Sequence, residues 1–369
     1  MKLFVLSRYS RQGASSRLRT MQYQPYLEAA GIDVRFASLF DDAYLDSVYT
    51  GRRSPIAGGR ALLRRLSQLR AARDVDLVWL EKEALPWAPW ALERLALPSR
   101  VPIVSDYDDA IFHRYDQHRL GAVRSLLGHK IDKVMRRSAL VTAGNAYIAE
   151  RAQRAGAKDV TIVPTVVDLD AYTLASTETP KCPLRVGWIG TPQTWDALAQ
   201  SVYTTLLPEL PAQGAVFRAV GASLQPRAED RLEVIPWSEA EEVRLIQSMD
   251  IGVMPMPDTP WTRGKCGYKL IQYMACGLPV VAAPVGVNTQ VVQDGINGFL
   301  AETQEEWRAA IGRLLEDDAL RKRMGGEGRR TVETGYSLQV WGPRVAKLLA
   351  TAAQGTPLAQ LPSSHDASY

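Results

Sequence analysis

Arg263, Lys265 and Lys269 are interspersed with Gly264 and Gly267 in a short stretch of the chain, so three cations sit near two points of bare backbone. That combination suits a phosphate or another compact anion. Leu270, Ile271, Met274 and Ala275 then recur at helical spacing until Gly277, with Pro279 beyond it, which predicts a helix beginning near Gly267. The first amide hydrogens of a helix lack intrahelical partners and carry partial positive charge, so they add fixed donors to the mobile cations. Taken alone, a glycine and lysines ahead of a helix also describe an ordinary solvated N-terminus. Two further clusters could do chemistry. Gly13, Ser15, Ser16, Arg17 and Arg19 form a second anion-suited turn, and Asp106, Asp108 and Asp109 gather carboxylates in DYDD. Those acids could orient a hydroxyl or stabilise positive charge, bind a divalent metal through the letters Asp106-Tyr107-Asp108, cap a helix, or pair with Arg114 and Arg119.

The elements that must position these residues are legible as buried strands. Ile251 to Met256 is apolar on both faces, as a central parallel strand requires, and Pro255 and Pro257 end it. LPVVAAP follows the helix as another such strand and leads to the Gly286 loop, which puts the cationic loop at the carboxyl edge of an open α/β sheet. Upstream, KLFVLS, VDLVWLE, VPIVSDYDD, ALVTAGN and TIVPTVVD alternate with helical segments, and LRVGWIG, AVFRAVG and RLEVIPW restart the pattern after the small, polar LASTETPKCP. The turn in GWIGTPQTW lacks the GxGxxG spacing of a dinucleotide site, which removes support for a dehydrogenase. Gly190, Thr191 and Thr194 there offer amides and hydroxyls to an anion.

KLIQYMACGLPVVA, followed by QDGINGFL from Gln293 to Leu300, resembles the signature of retaining glycosyltransferases of the GT-B type, the large family-4 group that uses nucleotide sugars. The resemblance implies an α/β fold of two Rossmann-like domains facing across a cleft, with a final helix crossing back to the first domain. On that pattern residues 1–172 form the acceptor-binding domain, 173–183 a linker, 184–335 the nucleotide-sugar-binding domain, 336–354 the returning helical segment and 355–369 a disordered tail. Donor binding falls to Gly13, Gly190, Thr191, Arg263, Lys265, Gly267, Tyr268, Lys269 and Gln272. Asp108 and Lys265 are the catalytic candidates, and Arg17 and Asp109 lie on the acceptor side. Two glutamates of the family pattern are missing: Gln272 stands where one holds the ribose hydroxyls, and Gly264 where the other approaches the transferred sugar. The arginine and lysine that relatives place near the Gly190 turn are absent too, leaving Arg263 and Lys265, with Lys265 preferred, to supply that charge. The implied reaction needs no cofactor beyond the nucleotide diphosphate sugar, no metal and no protein nucleophile. It retains anomeric configuration and transfers to a glycan or lipid-linked acceptor in cell-envelope polysaccharide assembly. An epimerase or hydrolase of the same fold, or an inactive partner that keeps it, are the alternatives.

Composition is consistent with this frame. A chain of 369 residues that is 46% hydrophobic can bury two cores. Cys182, Cys266 and Cys276 show no metal-ligand spacing and no disulfide framework, which suits the cytoplasm. Residues 1–168 carry 26 Lys and Arg against 18 Asp and Glu, a net of +8, whereas the remainder is net −4. Much of the positive charge lies in Arg52 to Arg73 and Arg119 to Ser138, among leucines at helical spacing. Such helices either rest on an anionic membrane, here the inner face of the cell membrane, or turn their leucines into the core. Nucleic acid binding would use the same charge, but there is no aromatic stacking platform of the kind it needs.

Overall fold

In the computed structural model the described residues are 1–49, 55–174, 183–196, 210, 214–223 and 231–355. The chain divides into two compact units, one from Met1–Thr165 joined by the chain from Trp341 onward, the other Val166–Val340. Each is built on a parallel six-stranded sheet. The tail expected to be disordered lies outside the described residues beyond 355, as does most of the expected linker.

The first sheet comprises β1 (Lys2–Tyr9), β2 (Asp33–Phe40), β3 (Leu77–Glu81), β4 (Ile103–Tyr107), β5 (Leu140–Ala143) and β6 (Val160–Ile162), in the order β2-β1-β3-β4-β5-β6. β3, β4 and β5 are buried at every residue, whereas β2 and β6 expose residues because each pairs on one side only. The chain leaves β1 for β2 and returns on its other side to β3, so the topological switch falls between β1 and β3.

The second sheet repeats the plan with β7 (Leu184–Ile189), β8 (Ala215–Val220), β9 (Leu232–Ile235), β10 (Ile251–Met254), β11 (Val280–Ala282) and β12 (Gly298–Leu300), ordered β12-β11-β10-β7-β8-β9. Here the switch lies between β7 and β10. Ligands of open α/β sheets bind at the carboxyl ends of the strands at such a point. The Gly190 turn leaves β7 there, and the Arg263–Lys269 stretch follows β10.

The helix Tyr268–Ala275 sits deep in the second unit, its last six residues all buried. Gly252 lets it approach β10, since a methyl group at Gly252 would lie 2.3 Å from the Tyr273 ring. On its other side the helix Asp318–Gly335 closes in through Gly325 and Gly328, where a methyl group would meet Gly277 O at 2.0 Å and Met274 Cγ at 2.9 Å. Val167 stays with this unit through a parallel bridge to Ser337, with Val167 N donating to Tyr336 O at 3.1 Å and Leu338 N to Val167 O at 2.8 Å. The last helix, Leu338–Ala353, starts in the second unit and from Trp341 belongs to the first, where the bare Gly342 accommodates the Tyr26 ring.

Candidate active site

The second unit brings a cation to the Gly190 turn. A methyl group at Gly190 would stand 3.1 Å from Lys269 Cε, and Lys269 Nζ lies 5.6 Å from the centre of the Trp188 ring. Lys269 is the second residue of the Tyr268–Ala275 helix, so its ammonium and the start of that helix belong to one corner. Gly267 immediately precedes the helix at φ 66°, a left-handed conformation that costs an L-residue about 1–2 kcal/mol. A methyl group there would also meet Val287 Cγ1 at 2.9 Å. Gly286 in turn packs on Arg263, a methyl group on it lying 2.9 Å from Arg263 O. Tyr273 fixes the corner from beneath: its hydroxyl accepts from Ile189 N at 3.0 Å and donates to Val253 O at 3.4 Å, joining the ends of β7 and β10.

The other candidates of this unit are placed differently. Lys265 Nζ lies over the Trp261 ring, 5.6 Å from its centre. Arg263 is exposed and holds Asp258 with a two-toothed ion pair, Nε to Oδ1 at 2.6 Å and Nη2 to Oδ2 at 2.8 Å, which keeps the Asp258 carboxyl below its ordinary range. Thr191 starts the turn after Gly190, its side chain accepting from Thr194 N at 3.4 Å. Gln272 is only 3% exposed, and its Nε2 donates to the Tyr172 hydroxyl at 2.7 Å. That amide hydrogen is committed inside the protein. Tyr172 donates to Glu242 Oε1 at 2.5 Å and stands 3.5 Å from the Tyr268 hydroxyl. Burial, with the neighbouring Tyr268 and Glu242, pushes the Tyr172 phenol well above its ordinary range, so it stays a neutral donor. Cys266 and Cys276 are buried and form no disulfide.

In the first unit the Gly13 turn, the end of β3 and the acids after β4 converge. Gly13 precedes the short helix Ala14–Arg19, and a methyl group on it would collide with Tyr9 Cβ at 2.3 Å. Glu81, 1% exposed, secures that turn: Oε2 accepts from Arg8 N at 2.7 Å and from Ser16 Oγ, and Oε1 lies 2.9 Å from Ser15 Oγ. Lys82 follows at φ 66°, one of two non-glycine residues in the left-handed region among those described, and that turn of the backbone aims its side chain at the acids. Lys82 Nζ stands 2.8 Å from Asp108 Oδ1, 3.9 Å from Asp109 Oδ2 and 3.1 Å from Ser15 Oγ, while Ser15 Oγ lies 2.7 Å from Asp108 Oδ2.

Burial alone would raise the Asp108 carboxyl, yet Lys82 and Arg19 together outweigh it and hold the group far below the usual carboxylate range. Lys82 itself is pushed up by Asp108, Asp109 and Glu81 against the opposing effect of burial. Asp106 belongs to a separate buried pair. Its oxygens accept from Arg19 Nε at 2.9 Å, Arg19 Nη2 at 2.7 Å and Thr142 Oγ1 at 2.6 Å, and Arg19 also donates to Val163 O at 2.8 Å. The letters of a metal motif thus spell two ion pairs, and among the described residues no three His, Cys, Asp or Glu gather to hold an ion. Arg17 is 8% exposed and donates to Arg11 O at 3.2 Å.

Sequence reasoning missed Lys82. The signal was present in WLEKEALPW, where three charges end a fully buried strand. Its neighbour Glu83 takes part in a fully buried group with Lys130 and Glu93, at 2.6 and 2.9 Å from Lys130 Nζ. The second basic run therefore turns Lys130 into the core and leaves Leu120 and Leu126 exposed. In the first run, the helix Pro55–Ala71 buries Arg65 while Leu63 and Leu66 face solvent.

Residues 183–317, a stretch within the second unit, match the family model described as Glycosyl transferases group 1. A D-inositol 3-phosphate glycosyltransferase of Xylanimonas cellulosilytica is 28% identical over 218 residues, which span 53% of this chain and 51% of that relative. The chain thus spans about half the length of that curated relative. The spore coat protein SA of Bacillus subtilis is 32% identical over 69 residues, 18% of each chain. Among solved structures, sucrose-phosphate synthase from Thermosynechococcus elongatus superposes with TM-score 0.73 at 15% identity, covering 96% of this chain and all of that one. Anabaena HepE in complex with UDP and glucose gives TM-score 0.71 at 17% identity, covering 95% of this chain and all of the other. At such identities these likenesses establish the fold, which is GT-B. Among the described residues no helix is long and apolar enough to cross a membrane.

Proposed function

We propose that the chain is a glycosyltransferase that moves a sugar from a nucleoside diphosphate sugar to a hydroxyl of a glycan or lipid-linked acceptor. The observation that carries this reading is the meeting of Lys269, the Gly190 turn and the helix start after Gly267 at the switch point of the second sheet. A diphosphate held there is neutralised by an ammonium group and fixed dipoles as its bond to the anomeric carbon breaks, which is the largest electrostatic demand of the reaction. HepE, seen with UDP and glucose, and the group 1 domain match both favour a nucleotide sugar as donor.

The first unit takes the acceptor in this reading. Asp108, held ionised by Lys82, accepts a hydrogen bond from an acceptor hydroxyl or offsets positive charge on the sugar ring. A carboxyl held so far below neutrality is a poor proton acceptor, so the departing diphosphate takes the proton. Attack from the face of departure then retains configuration without metal or protein nucleophile. Asp109, 3.9 Å from the same Lys82 Nζ, and Arg17 are assigned to the acceptor side with it. The setting is cell-envelope polysaccharide assembly at the cytoplasmic face of the membrane, with the exposed Leu120 and Leu126 beside Arg119 and Arg124 as the lipid contact.

The test is product analysis after incubation with UDP-, GDP- and TDP-linked sugars, with and without a pool of glycan and lipid-linked acceptors. The reading predicts release of nucleoside diphosphate that depends on acceptor. Turnover without acceptor marks a hydrolase or epimerase of the same fold, and donor binding with no turnover across the pool marks an inactive partner.

A further inference from the structure

Trp237 is a large aromatic side chain that the second unit leaves 39% exposed while tying down its edge. Its Nε1 donates to Glu242 Oε2 at 2.7 Å, and the other oxygen of that carboxylate accepts from Tyr172, which Gln272 holds from the buried face of the Tyr268–Ala275 helix. The ring is therefore held by a relay of three side chains, Glu242, Tyr172 and Gln272, the last two far from it in sequence. Its location supplies a reason. Gly190 N donates to Val220 O at 3.0 Å and Gly221 N to Ile235 O at 2.8 Å, so the ends of β7, β8 and β9 lie side by side. Gly221, at φ 78°, is bare where a methyl group would strike Gly190 O at 2.1 Å and approach Trp237 Cβ at 3.3 Å. The Cβ from which the indole springs thus lies close to the turn that Lys269 attends.

We infer that Trp237 is the platform on which the nucleobase of the donor stacks, with Glu242 and Tyr172 as positioning residues that set the plane of the ring. This deepens the donor reading given above and rests on it. Any nucleobase presents a π-face to an indole, so the platform adds affinity for nucleoside over bare phosphate and leaves the choice of base to backbone contacts. The relay also assigns work to Gln272 in this chain: its amide supports Tyr172 and through it the carboxylate that clamps the indole.

Titration calorimetry of the full chain with UDP, GDP, TDP and inorganic pyrophosphate tests the inference, using Trp237→Ala, Trp237→Phe and Glu242→Gln. Loss of one base–aromatic stack predicts that Trp237→Ala weakens nucleoside diphosphate binding about 5–150-fold while pyrophosphate binding stays within twofold. Trp237→Phe restores most of the affinity, and Glu242→Gln gives an intermediate loss confined to the nucleosides. If the unaltered chain binds a nucleoside diphosphate and Trp237→Ala binds it equally well, the inference is overturned while the donor reading stands. Equal weakening of pyrophosphate would show a general distortion and overturn it too. Failure of the unaltered chain to bind any of the three nucleotides would remove the donor reading and this inference together.

Discussion

Replacing Lys269 by alanine removes the ammonium group from the Gly190 turn while leaving the buried face of its helix intact, because Leu270, Ile271, Tyr273 and Met274 do the packing. A hydrogen bond to a charged group contributes about 1.5–3 kcal/mol, so donor affinity should fall about 10–150-fold. The loss is readable without knowing the acceptor. A ligand at a hundredfold excess over its Kd raises stability by about 2.7 kcal/mol; at the same concentration a variant that binds 10- to 100-fold more weakly gains about 1.4 to 0.4 kcal/mol. Thermal shift with UDP, GDP and TDP therefore separates the two chains clearly, and unliganded Tm values should agree within a degree or two because Lys269 is only half-buried. Lys265→Ala, beside Trp261, should lose less. Were Lys269→Ala to keep the full ligand-induced shift while Lys265→Ala lost it, the geometric assignment of the phosphate cation would be refuted.

Gly267→Ala places a side chain at φ 66° and against Val287, so it should cost about 1–2 kcal/mol or more in urea denaturation and weaken donor binding as the amides tilt. Lys130→Met leaves Glu83 and Glu93 buried without their cation and should cost about 3–5 kcal/mol, measured by the same method. Asp108 has a folded pKa below its unfolded value, so its contribution is complete above the ordinary carboxylate range and is lost only as pH falls through the lowered value. The stability gap between the parent and Asp108→Asn should accordingly be flat from about pH 5 to 8, and the transfer rate should show no acidic limb from this group there; a limb that Asp108→Asn abolishes would contradict it. Leu120→Ser with Leu126→Ser should reduce flotation of the protein with anionic vesicles and leave it unchanged with neutral ones.

The parallel sheets were legible because their central strands are apolar on both faces, as in LVWLE, IGVM and VVA, and because glycine and proline punctuate them. The helix start at Gly267 could be read for the same reason, since its period and its stop signals are local. What stayed hidden depends on contacts across long separations. The choice of Lys269 as the residue beside the Gly190 turn follows from β7 and β10 being neighbours, which residue spacing around 263–269 does not encode. Gln272 reads as an amide available to a ligand, yet Tyr172, a hundred positions earlier, claims it. Lys82 was missed because its role comes from a left-handed backbone that nothing short of the folded turn imposes. The DYDD acids look alike in sequence, and only the fold separates Asp106, locked to Arg19, from Asp108, locked to Lys82.

A crystal structure of the chain with a nucleoside diphosphate tests the account most directly. We predict the diphosphate at the helix start formed by Tyr268 and Lys269, with Lys269 Nζ in hydrogen-bond range of a phosphate oxygen and the Gly190 turn alongside. A diphosphate bound elsewhere, with that corner filled only by solvent, would contradict it.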